Sequence, residues 1–319
     1  MLLRACFRWF LVLLLAAATS LALIRFAAWV RERDDRVPAH LRTVPTPLGR
    51  VTVDEHGLPS RRTVLIVPGT AGWSGFWHEV SLHLAARGYH VVAVDLPPFG
   101  YSEHDAAARY DRRSQAARLS AVLAATARGS AVVVAHSFGG GSATELALGH
   151  PDQVARLVLI DGALGEVDAS SPGGVPLLRA AVLAQPLIAA TLTNPHAIGA
   201  LSRSMLAHKE VAARWRETLR APMRRPGTTA AYAAWLPSLL AADDGASSRR
   251  SSALRQMKPP VRLIWGEADT VTPIAQGLRL SRLFRAPIIR LPGVGHVPHI
   301  EDPVHFLPAL DAAIAEPVR

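Results

Sequence analysis

The stretch from Ala131 to Gly141, which reads A-V-V-V-A-H-S-F-G-G-G, most constrains the fold of this chain. Its leading apolar residues are mostly β-branched and predict a short buried strand, and an alanine- and leucine-rich helical pattern follows. Ser137 therefore lies at the tip of a tight strand–turn–helix, with the small residues Ala135 and Gly139 two positions away on either side. This pattern is typical of a nucleophile elbow, whose turn leaves little room for side chains at those two positions. A serine that caps an ordinary βα turn is the alternative interpretation.

The rest of the chain alternates apolar strand patterns with helical ones, as a parallel sheet covered on both faces requires. Further strands are predicted over Arg62–Val67, Tyr89–Val94, Arg156–Ile160, Val261–Trp265 and Pro287–Leu291. Helices are predicted over Phe76–Arg87, Arg112–Arg128 and Pro273–Phe284, and at the C-terminus. The fold class is therefore α/β, with a mostly parallel, doubly wound sheet. A proline-containing linker, Val37–Ser60, precedes this pattern and includes one short strand, Gly49–Asp54.

Residues 165–257 interrupt the alternation with helical stretches broken by prolines and with no convincing strand. A helical segment inserted between two strands of one sheet would lie over the carboxyl ends of the strands, where open α/β sheets bind their ligands. We therefore expect one α/β domain over residues 37–319, with a helical lid over residues 165–257. Residues 1–36 form a separate N-terminal segment.

That N-terminal segment is apolar enough to enter a membrane. The run Trp9–Ile24 is uncharged, and Phe26–Val30 extends it beyond Arg25. A span needs about 20 apolar residues, and arginines at its ends can reach the headgroups. We interpret residues 1–36 as a single-pass membrane anchor, with no orientation predicted because arginines flank both ends. The alternative is a signal peptide cleaved near Ser20-Leu21-Ala22, which would release a secreted or periplasmic protein.

Charge and cysteine content argue against several classes of function. The net charge is +10, but nearly all of the 35 basic residues are arginines, and no basic run is interleaved with aromatic residues. We therefore expect no nucleic-acid partner. The densest basic patch consists of Arg214, Arg216, Arg220, Arg224 and Arg225. We predict that it is a solvated helix face; contact with anionic lipid headgroups is the alternative. Cys6 is the single cysteine, and the 13 histidines show no paired ligand spacing, so we expect neither a metal nor a cofactor.

Three side chains with complementary chemistry follow separate predicted strands. Ser137 is a weak nucleophile until a base accepts its proton, and His296 can do so near neutral pH. Asp269 would hold the imidazole in the required tautomer and stabilise its charged form. The chain order Ser, Asp, His is the order expected for a serine at a strand–helix elbow. The backbone N–H groups of Phe138 and Thr70 are the candidate oxyanion hole.

These segments together resemble the α/β-hydrolase superfamily, in particular its lid-bearing members related to epoxide hydrolases and haloperoxidases. The resemblance covers about Arg62–Asp161 and Val261–Pro303 and departs from the usual pattern at Pro68, where the family usually has histidine, and at Ala135, where it has glycine. It is carried by Pro68-Gly69-Thr70, Asp95-Leu-Pro-Pro-Phe-Gly-Tyr-Ser102, Ala135-His-Ser-Phe-Gly-Gly140, Gly266-Glu-Ala-Asp269 and Gly295-His-Val-Pro-His-Ile-Glu-Asp-Pro303.

The resemblance narrows the expected reaction. Family members that open epoxides or displace halide use an aspartate at the elbow, whereas Ser137 implies acyl transfer to water. We expect hydrolysis of carboxylic esters or thioesters through an acyl-enzyme on Ser137, acting on a small hydrophobic substrate. Carbon–carbon bond hydrolysis and cofactor-free perhydrolysis on the same residues are the alternatives, and a non-catalytic binding protein is a further one.

The sequence also suggests roles for residues other than the candidate triad. Asp161 also ends a predicted strand and is the rival to Asp269 as the acid. Trp73 and Phe76 are expected to line the substrate pocket. His136 and His299 are interpreted as packing or hydrogen-bonding residues without a catalytic role.

Overall fold

The computed structural model describes residues 2–165, 167–168, 180–240 and 245–315. Within these residues, eight strands form one sheet: β1 (Leu41–Thr46), β2 (Gly49–His56), β3 (Thr63–Val67), β4 (His90–Val94), β5 (Ala131–His136), β6 (Val154–Ile160), β7 (Val261–Gly266) and β8 (Ile288–Leu291). Their order is β1-β2-β4-β3-β5-β6-β7-β8. Strands β3 to β8 run parallel to one another, and β1 and β2 are antiparallel to their neighbours. The α/β fold class predicted from the sequence is confirmed.

The central strands are apolar on both faces because helices cover both faces. Helices α2 (His78–Ala86) and α12 (Pro303–Ala315) pack on one face. Helices α3 (Arg112–Thr126), α4 (Gly139–Gly149) and α10 (Ile274–Phe284) pack on the other. Every residue of β3, β4 and β5 is buried, which is why their sequences read as continuous apolar runs. This arrangement places the carboxyl ends of the parallel strands at one edge of the sheet.

The segment predicted as a linker with one strand forms a β-hairpin at the sheet edge. β1 pairs antiparallel with β2, from Leu41 opposite Asp54 to Thr46 opposite Gly49. Strand β1 was missed in the sequence because it contains Pro45 and alternates weakly between apolar and polar residues. Proline lacks a backbone N–H donor, so it is tolerated in an edge strand such as this one.

The described residues between β6 and β7 form five α-helices: α5 (Ala181–Ala190), α6 (Ala197–Ser204), α7 (Ala212–Arg220), α8 (Thr228–Leu240) and α9 (Ser251–Arg255). Residues 166, 169–179 and 241–244 of the predicted lid segment lie outside the described residues. The described part between β6 and β7 contains helices and no strand. Helices α5 to α8 share an apolar cluster with Phe99 and Phe138, to which Ile188, Tyr232 and Trp235 contribute. The cluster joins the inserted helices to the loops at the carboxyl edge of the sheet.

Helix α1 spans Leu2–Arg31, and its residues Arg8–Arg31 are long and apolar enough to cross a membrane, with a mean hydropathy of 2.2. The end of α1 contacts the inserted helices. Arg31 donates to the backbone oxygen of Ala189 at 3.3 Å, and the Glu32 carboxylate accepts the backbone N–H of Thr229 at 2.9 Å. The segment that follows α1 is thus attached to α5 and α8.

After β8, the short helix α11 (Pro298–Glu301) precedes α12. It follows directly on the loop that carries His296.

Candidate active site

Ser137 occupies a strained turn between β5 and α4. Its φ is +50°, in the left-handed region that few non-glycine residues adopt. A Cβ on Gly139 would lie 2.4 Å from the backbone oxygen of Pro68, and a Cβ on Gly69 would lie 2.8 Å from the Cβ of Ser137. The close approach of these loops explains why glycine stands at both positions. Ala135, where the family pattern has glycine, is fully buried, so its single methyl group fits within the packed core.

The three residues predicted as a triad meet at the carboxyl edge of the sheet. The Nε2 atom of His296 lies 2.9 Å from the Oγ of Ser137, and its Nδ1 atom lies 2.8 Å from an Oδ of Asp269. All three residues are buried, and His296 is completely so. Since Ser137 and His296 are 159 residues apart in the chain, only the fold brings them into contact. The imidazole bridges a hydroxyl and a carboxylate, as proton transfer from serine requires.

Hydrogen bonds keep the Asp269 carboxylate ionised and aimed at His296. Its Oδ1 accepts the backbone N–H groups of Val271 and Thr272 at 2.7 and 3.0 Å, and its Oδ2 accepts the Thr272 hydroxyl at 2.6 Å. Burial alone would raise the pKa of Asp269, but the hydrogen bonds from His296 and Thr272 outweigh it, and the pKa falls below its ordinary value. The Thr272 hydroxyl also lies 3.3 Å from Nδ1 of His296, so Thr272 contacts both residues. This threonine was not singled out in the sequence.

Asp161, the rival acid, has a different environment. Its Oδ1 accepts the backbone N–H of Gly266 at 2.9 Å, while the residue that contacts the imidazole is Asp269. Burial and the neighbouring charge of Asp269 raise the pKa of Asp161 well above its ordinary value. Asp161 is therefore the member of this carboxyl pair that holds its proton more tightly, and Asp269 is the one that loses its proton more readily.

The two candidate oxyanion donors flank the serine. Phe138 precedes the first turn of α4, and Thr70 lies in the loop after β3 that Gly69 packs against Ser137. Neither backbone N–H takes part in the backbone hydrogen bonds of the described residues. Both groups are therefore available to a ligand, and the N-terminus of α4 adds the positive end of its dipole. Pro68, which replaces the usual histidine, leaves both donors in place.

His136 and His299 lie beside the triad as neutral imidazoles. Burial lowers the pKa of His136 to about 3 and that of His299 well below its ordinary value. The Nε2–H of His136 donates to the backbone oxygen of His296 at 2.7 Å. The ring of His299 stacks on Trp77 with a centroid separation of 3.8 Å. These contacts agree with the prediction that both side chains pack or form hydrogen bonds.

Glu301 supports the His296 loop and was not singled out in the sequence. One of its oxygens accepts the backbone N–H groups of Ala207, His208 and Gly295 at 2.8 to 3.1 Å, and the other accepts that of Val297 at 3.2 Å. The carboxylate thus holds both chain neighbours of His296 and ties them to the inserted helices. The signal in the sequence that could have identified Glu301 was an acidic residue five positions after His296.

A cavity of about 130 Å³ lies beside Thr70 and His136, between the sheet edge and the inserted helices. Its lining is almost entirely apolar and includes Phe76, Trp77, Leu192, Ile198, Met205, Leu206, Trp215, Leu219 and Ile300. Phe76, one of the two residues expected in the substrate pocket, lines this cavity and stacks on Trp215 with a centroid separation of 5.8 Å. Trp73 does not line it: its indole packs on Tyr101 and donates to the backbone oxygen of Thr218 at 2.7 Å.

Comparison with known proteins agrees with this geometry. The model of the alpha/beta hydrolase fold family matches residues 62–303. A 2-hydroxymuconate semialdehyde hydrolase of Pseudomonas sp. (strain CF600) is 29% identical over 258 residues, which cover 78% of this chain and 84% of that protein. A 2-hydroxy-6-oxononadienedioate/2-hydroxy-6-oxononatrienedioate hydrolase of Burkholderia vietnamiensis is 28% identical over 237 residues, which cover 72% of this chain and 78% of that protein.

Solved structures share the fold at lower sequence identity. The 2-hydroxy-6-oxo-6-phenylhexa-2,4-dienoate hydrolase from Rhodococcus sp. strain RHA1 superposes with a TM-score of 0.71 and 17% identity, covering 86% of this chain and 98% of that chain. A bacterial membrane phospholipase A superposes with a TM-score of 0.66 and 23% identity, covering 98% of both chains. The family match and the shared fold lead to one conclusion: the chain belongs to the α/β-hydrolase fold family and is a hydrolase.

Proposed function

We propose that this protein hydrolyses carboxylic esters or thioesters with a hydrophobic acyl group, through an acyl-enzyme on Ser137. The observation that carries this proposal is the bridging imidazole of His296, with Ser137 at 2.9 Å and Asp269 at 2.8 Å. A serine hydroxyl hydrogen-bonded to such an imidazole is the nucleophile of acyl transfer. The roles of the individual residues follow from their contacts.

In the first half of the reaction, the Oγ of Ser137 attacks the acyl carbon while its proton passes to Nε2 of His296. The ionised Asp269 stabilises the imidazolium that forms. The backbone N–H groups of Thr70 and Phe138 receive the negative charge that develops on the carbonyl oxygen. One such donor contributes about 2.7–4 kcal/mol to transition-state stabilisation. The imidazolium then returns its proton to the leaving alcohol or thiol.

In the second half, water replaces the leaving group. His296 takes a proton from this water, which attacks the acyl-enzyme, and the same oxyanion donors stabilise the second tetrahedral intermediate. The proton finally returns to Ser137 as the carboxylic acid leaves. No step requires a metal or an organic cofactor.

The cavity supports a hydrophobic acyl group. Its lining contains no lysine or arginine among the residues that the structure describes. Its volume of about 130 Å³ is comparable to that of an engineered apolar cavity of about 150 Å³ that binds benzene. A short or medium acyl chain, or a single ring, therefore fits without rearrangement, whereas a longer chain would need the inserted helices to move.

Carbon–carbon bond hydrolysis is the second candidate, because the named activities of the relatives are of that kind. Their substrates, as the names state, are carboxylates. A carboxylate buried in this cavity would lack a charged partner among the lining residues, and burial of an unpaired charge is strongly unfavourable. The apolar lining thus favours a hydrophobic ester over the carboxylate substrates that the relatives' names state.

We further propose that helix α1 remains attached as a membrane anchor and that α5–α8 act as a lid beside it. The attachment of Arg31 and Glu32 to α5 and α8 supports the second part of this proposal, because it holds the C-terminal end of α1 against the inserted helices. Retention of the helix is supported by the apolar residues Phe26–Val30, which continue past a cleavage site at Ser20-Leu21-Ala22. Ala28, within the same helix, is also buried. The cavity entrance would then lie close to a lipid surface, from which hydrophobic esters are drawn.

The test combines a covalent probe with a substrate series. The detergent-solubilised protein should be labelled by a fluorophosphonate at Ser137 and should hydrolyse p-nitrophenyl esters, with both properties lost in Ser137→Ala. Activity should rise with acyl length from acetyl to medium chains. Labelling that persists in Ser137→Ala would identify another nucleophile. Turnover of 2-hydroxymuconate semialdehyde that greatly exceeds ester turnover would establish the carbon–carbon candidate instead.

A further inference from the structure

A buried carboxylate on the edge hairpin is surrounded by three imidazoles. Asp54, on β2, is almost completely buried. Its Oδ2 lies 2.9 Å from Nδ1 of His78, the first residue of α2, and its Oδ1 lies 2.8 Å from Nε2 of His56. His40, directly before β1, completes the group. One ligand atom from each of His40, Asp54 and His78 lies within 4.8 Å of the other two.

The hydrogen bonds of this cluster do not satisfy the carboxylate. The contact between Asp54 Oδ1 and His56 Nε2 is short, yet neither atom has a hydrogen-bond partner of acceptable geometry among the described residues. Burial of a charged oxygen without a partner is costly, and such charges in proteins are paired or coordinate metals. The burial of the Asp54 carboxylate is therefore incompletely compensated, and a cation bound to this carboxylate would supply positive charge.

We infer that His40, Asp54 and His78 form a binding site for a divalent zinc ion. Two imidazole nitrogens and one carboxylate oxygen are a ligand set that suits zinc, whereas magnesium and calcium prefer oxygen ligands alone. Ligands of a tetrahedral zinc lie about 3.3 Å from one another, given bonds of about 2.0–2.1 Å. One separation, between His78 Nδ1 and Asp54 Oδ2, is 2.9 Å, and all three ligand atoms lie within 4.8 Å of one another, so small shifts of the exposed His40 and half-exposed His78 side chains would give tetrahedral spacing.

His56 has a supporting place in this site. Nε2 of His56 lies 2.8 Å from Oδ1 of Asp54, so a small rotation of the ring would let it donate a hydrogen bond to the carboxylate once the ion is bound. Groups that hold a ligand in this way affect metal affinity by about 10–100-fold. Three protein ligands leave a fourth position for water.

The site joins three separate parts of the chain. His40 follows the segment that leaves α1, Asp54 lies in the edge hairpin, and His78 begins α2 immediately after the cavity residues Phe76 and Trp77. Zinc would therefore fix the segment after α1 to the loop that lines the cavity. The site is separate from Ser137, His296 and Asp269, and its existence does not depend on the proposed ester hydrolysis.

The experiment measures zinc binding directly. The full chain in detergent, without a polyhistidine tag, is titrated with zinc in competition with a chromophoric chelator. We expect one zinc ion per chain in the wild type, and an affinity lower by about tenfold or more in His40→Gln and His78→Gln. His150→Gln alters an exposed histidine outside the cluster and should bind zinc as the wild type does. Magnesium should not compete.

Thermal unfolding supplies an independent readout, since an ion that binds only the folded state raises the unfolding temperature. Zinc should raise it in the wild type and in His150→Gln, and to a smaller extent in the two cluster variants. Because His40 is exposed, His40→Gln is expected to fold even if His78→Gln does not. The inference is overturned if the wild type shows no saturable zinc site, or if His40→Gln binds zinc with unchanged affinity.

Discussion

The ring Nε2–H of His136 donates a hydrogen bond of 2.7 Å to the backbone oxygen of His296. The residue before the nucleophile thereby holds the loop that carries the proposed base. Because burial lowers the pKa of His136 to about 3, its ring is neutral throughout the pH range in which esterases are assayed. The bond joins the loops after β5 and β8, which no strand pairing connects directly.

Replacement of His136 should therefore lower turnover through the position of His296. A hydrogen bond of this kind contributes about 0.5–1.5 kcal/mol. We expect His136→Ala to lower kcat by about tenfold with a smaller change in KM, and His136→Gln, which keeps a donor at similar reach, to recover most of the loss. Steady-state kinetics on a p-nitrophenyl ester measure both. Equal kcat in the wild type and the alanine variant would show that the bond has no positioning role.

Replacement of each buried aspartate by asparagine should show which of the two orients His296. Asp269→Asn removes the charge that orients and stabilises the imidazole, and in an analogous triad such a change lowers kcat by about 10⁴-fold. Asp161 does not contact the imidazole, and its pKa is raised, so Asp161→Asn should retain most of kcat. The two rate constants are compared at the same pH. A larger loss for Asp161→Asn would identify Asp161 as the acid.

A methyl group at Gly69 should disturb the oxyanion loop. The added Cβ would lie 2.8 Å from the Cβ of Ser137 and 2.9 Å from Nδ1 of His136, so the loop must move. Displacement of one oxyanion donor lowers kcat by about 10²–10³-fold. Gly129→Ala is the matched control, since a Cβ there meets nothing within 4 Å. Wild-type kcat in Gly69→Ala would exclude the Thr70 loop from the oxyanion hole.

Glu301 is expected to matter for both stability and turnover. Its carboxylate accepts four backbone N–H groups around His296 and the inserted helices, and a glutamine amide cannot accept them all. An unsatisfied buried donor costs about 1–3 kcal/mol. Glu301→Gln should lower the free energy of unfolding by that amount and should also lower kcat. Urea unfolding and kinetics measure the two effects, with exposed Glu79→Gln as the control.

Asp95 should make stability depend on pH. Its two oxygens accept the backbone N–H groups of Ser74 and Tyr101 at 2.7 Å each, but burial dominates and raises its pKa from 3.8 to about 6. The folded state therefore holds the proton more tightly than the unfolded state does. The resulting stabilisation is complete below about pH 3.8 and declines until the pH passes about 6.

The decline amounts to roughly 3 kcal/mol at most. Asp95→Asn removes this titration, so its free energy of unfolding should fall less than that of the wild type between pH 4 and pH 7, although the variant is less stable overall. Urea unfolding at several pH values measures the difference, with the exposed Asp152→Asn as a control. Parallel curves for the wild type and Asp95→Asn would contradict the prediction.

The sequence by itself determined the central strands and the turn at Ser137. Buried parallel strands require continuous apolar runs, and the tight elbow requires small residues such as Gly139. Both requirements concern only a few consecutive residues, so they can be recognised in the sequence. The identities of Asp269 and His296 as candidates followed from their places after predicted strands. The edge strand β1 was not predicted, because Pro45 and exposed polar residues weaken its apolar pattern.

The tertiary structure decided which distant groups meet. It brought His296 to Ser137 and Asp269, and it raised the pKa of Asp161 by burial beside the charge of Asp269. It placed Phe76 in the cavity and turned Trp73 away, and it gathered His40, Asp54 and His78 from three segments. The physical reason is that side-chain direction, burial and charge environment depend on contacts between residues far apart in the chain, which local periodicity does not encode.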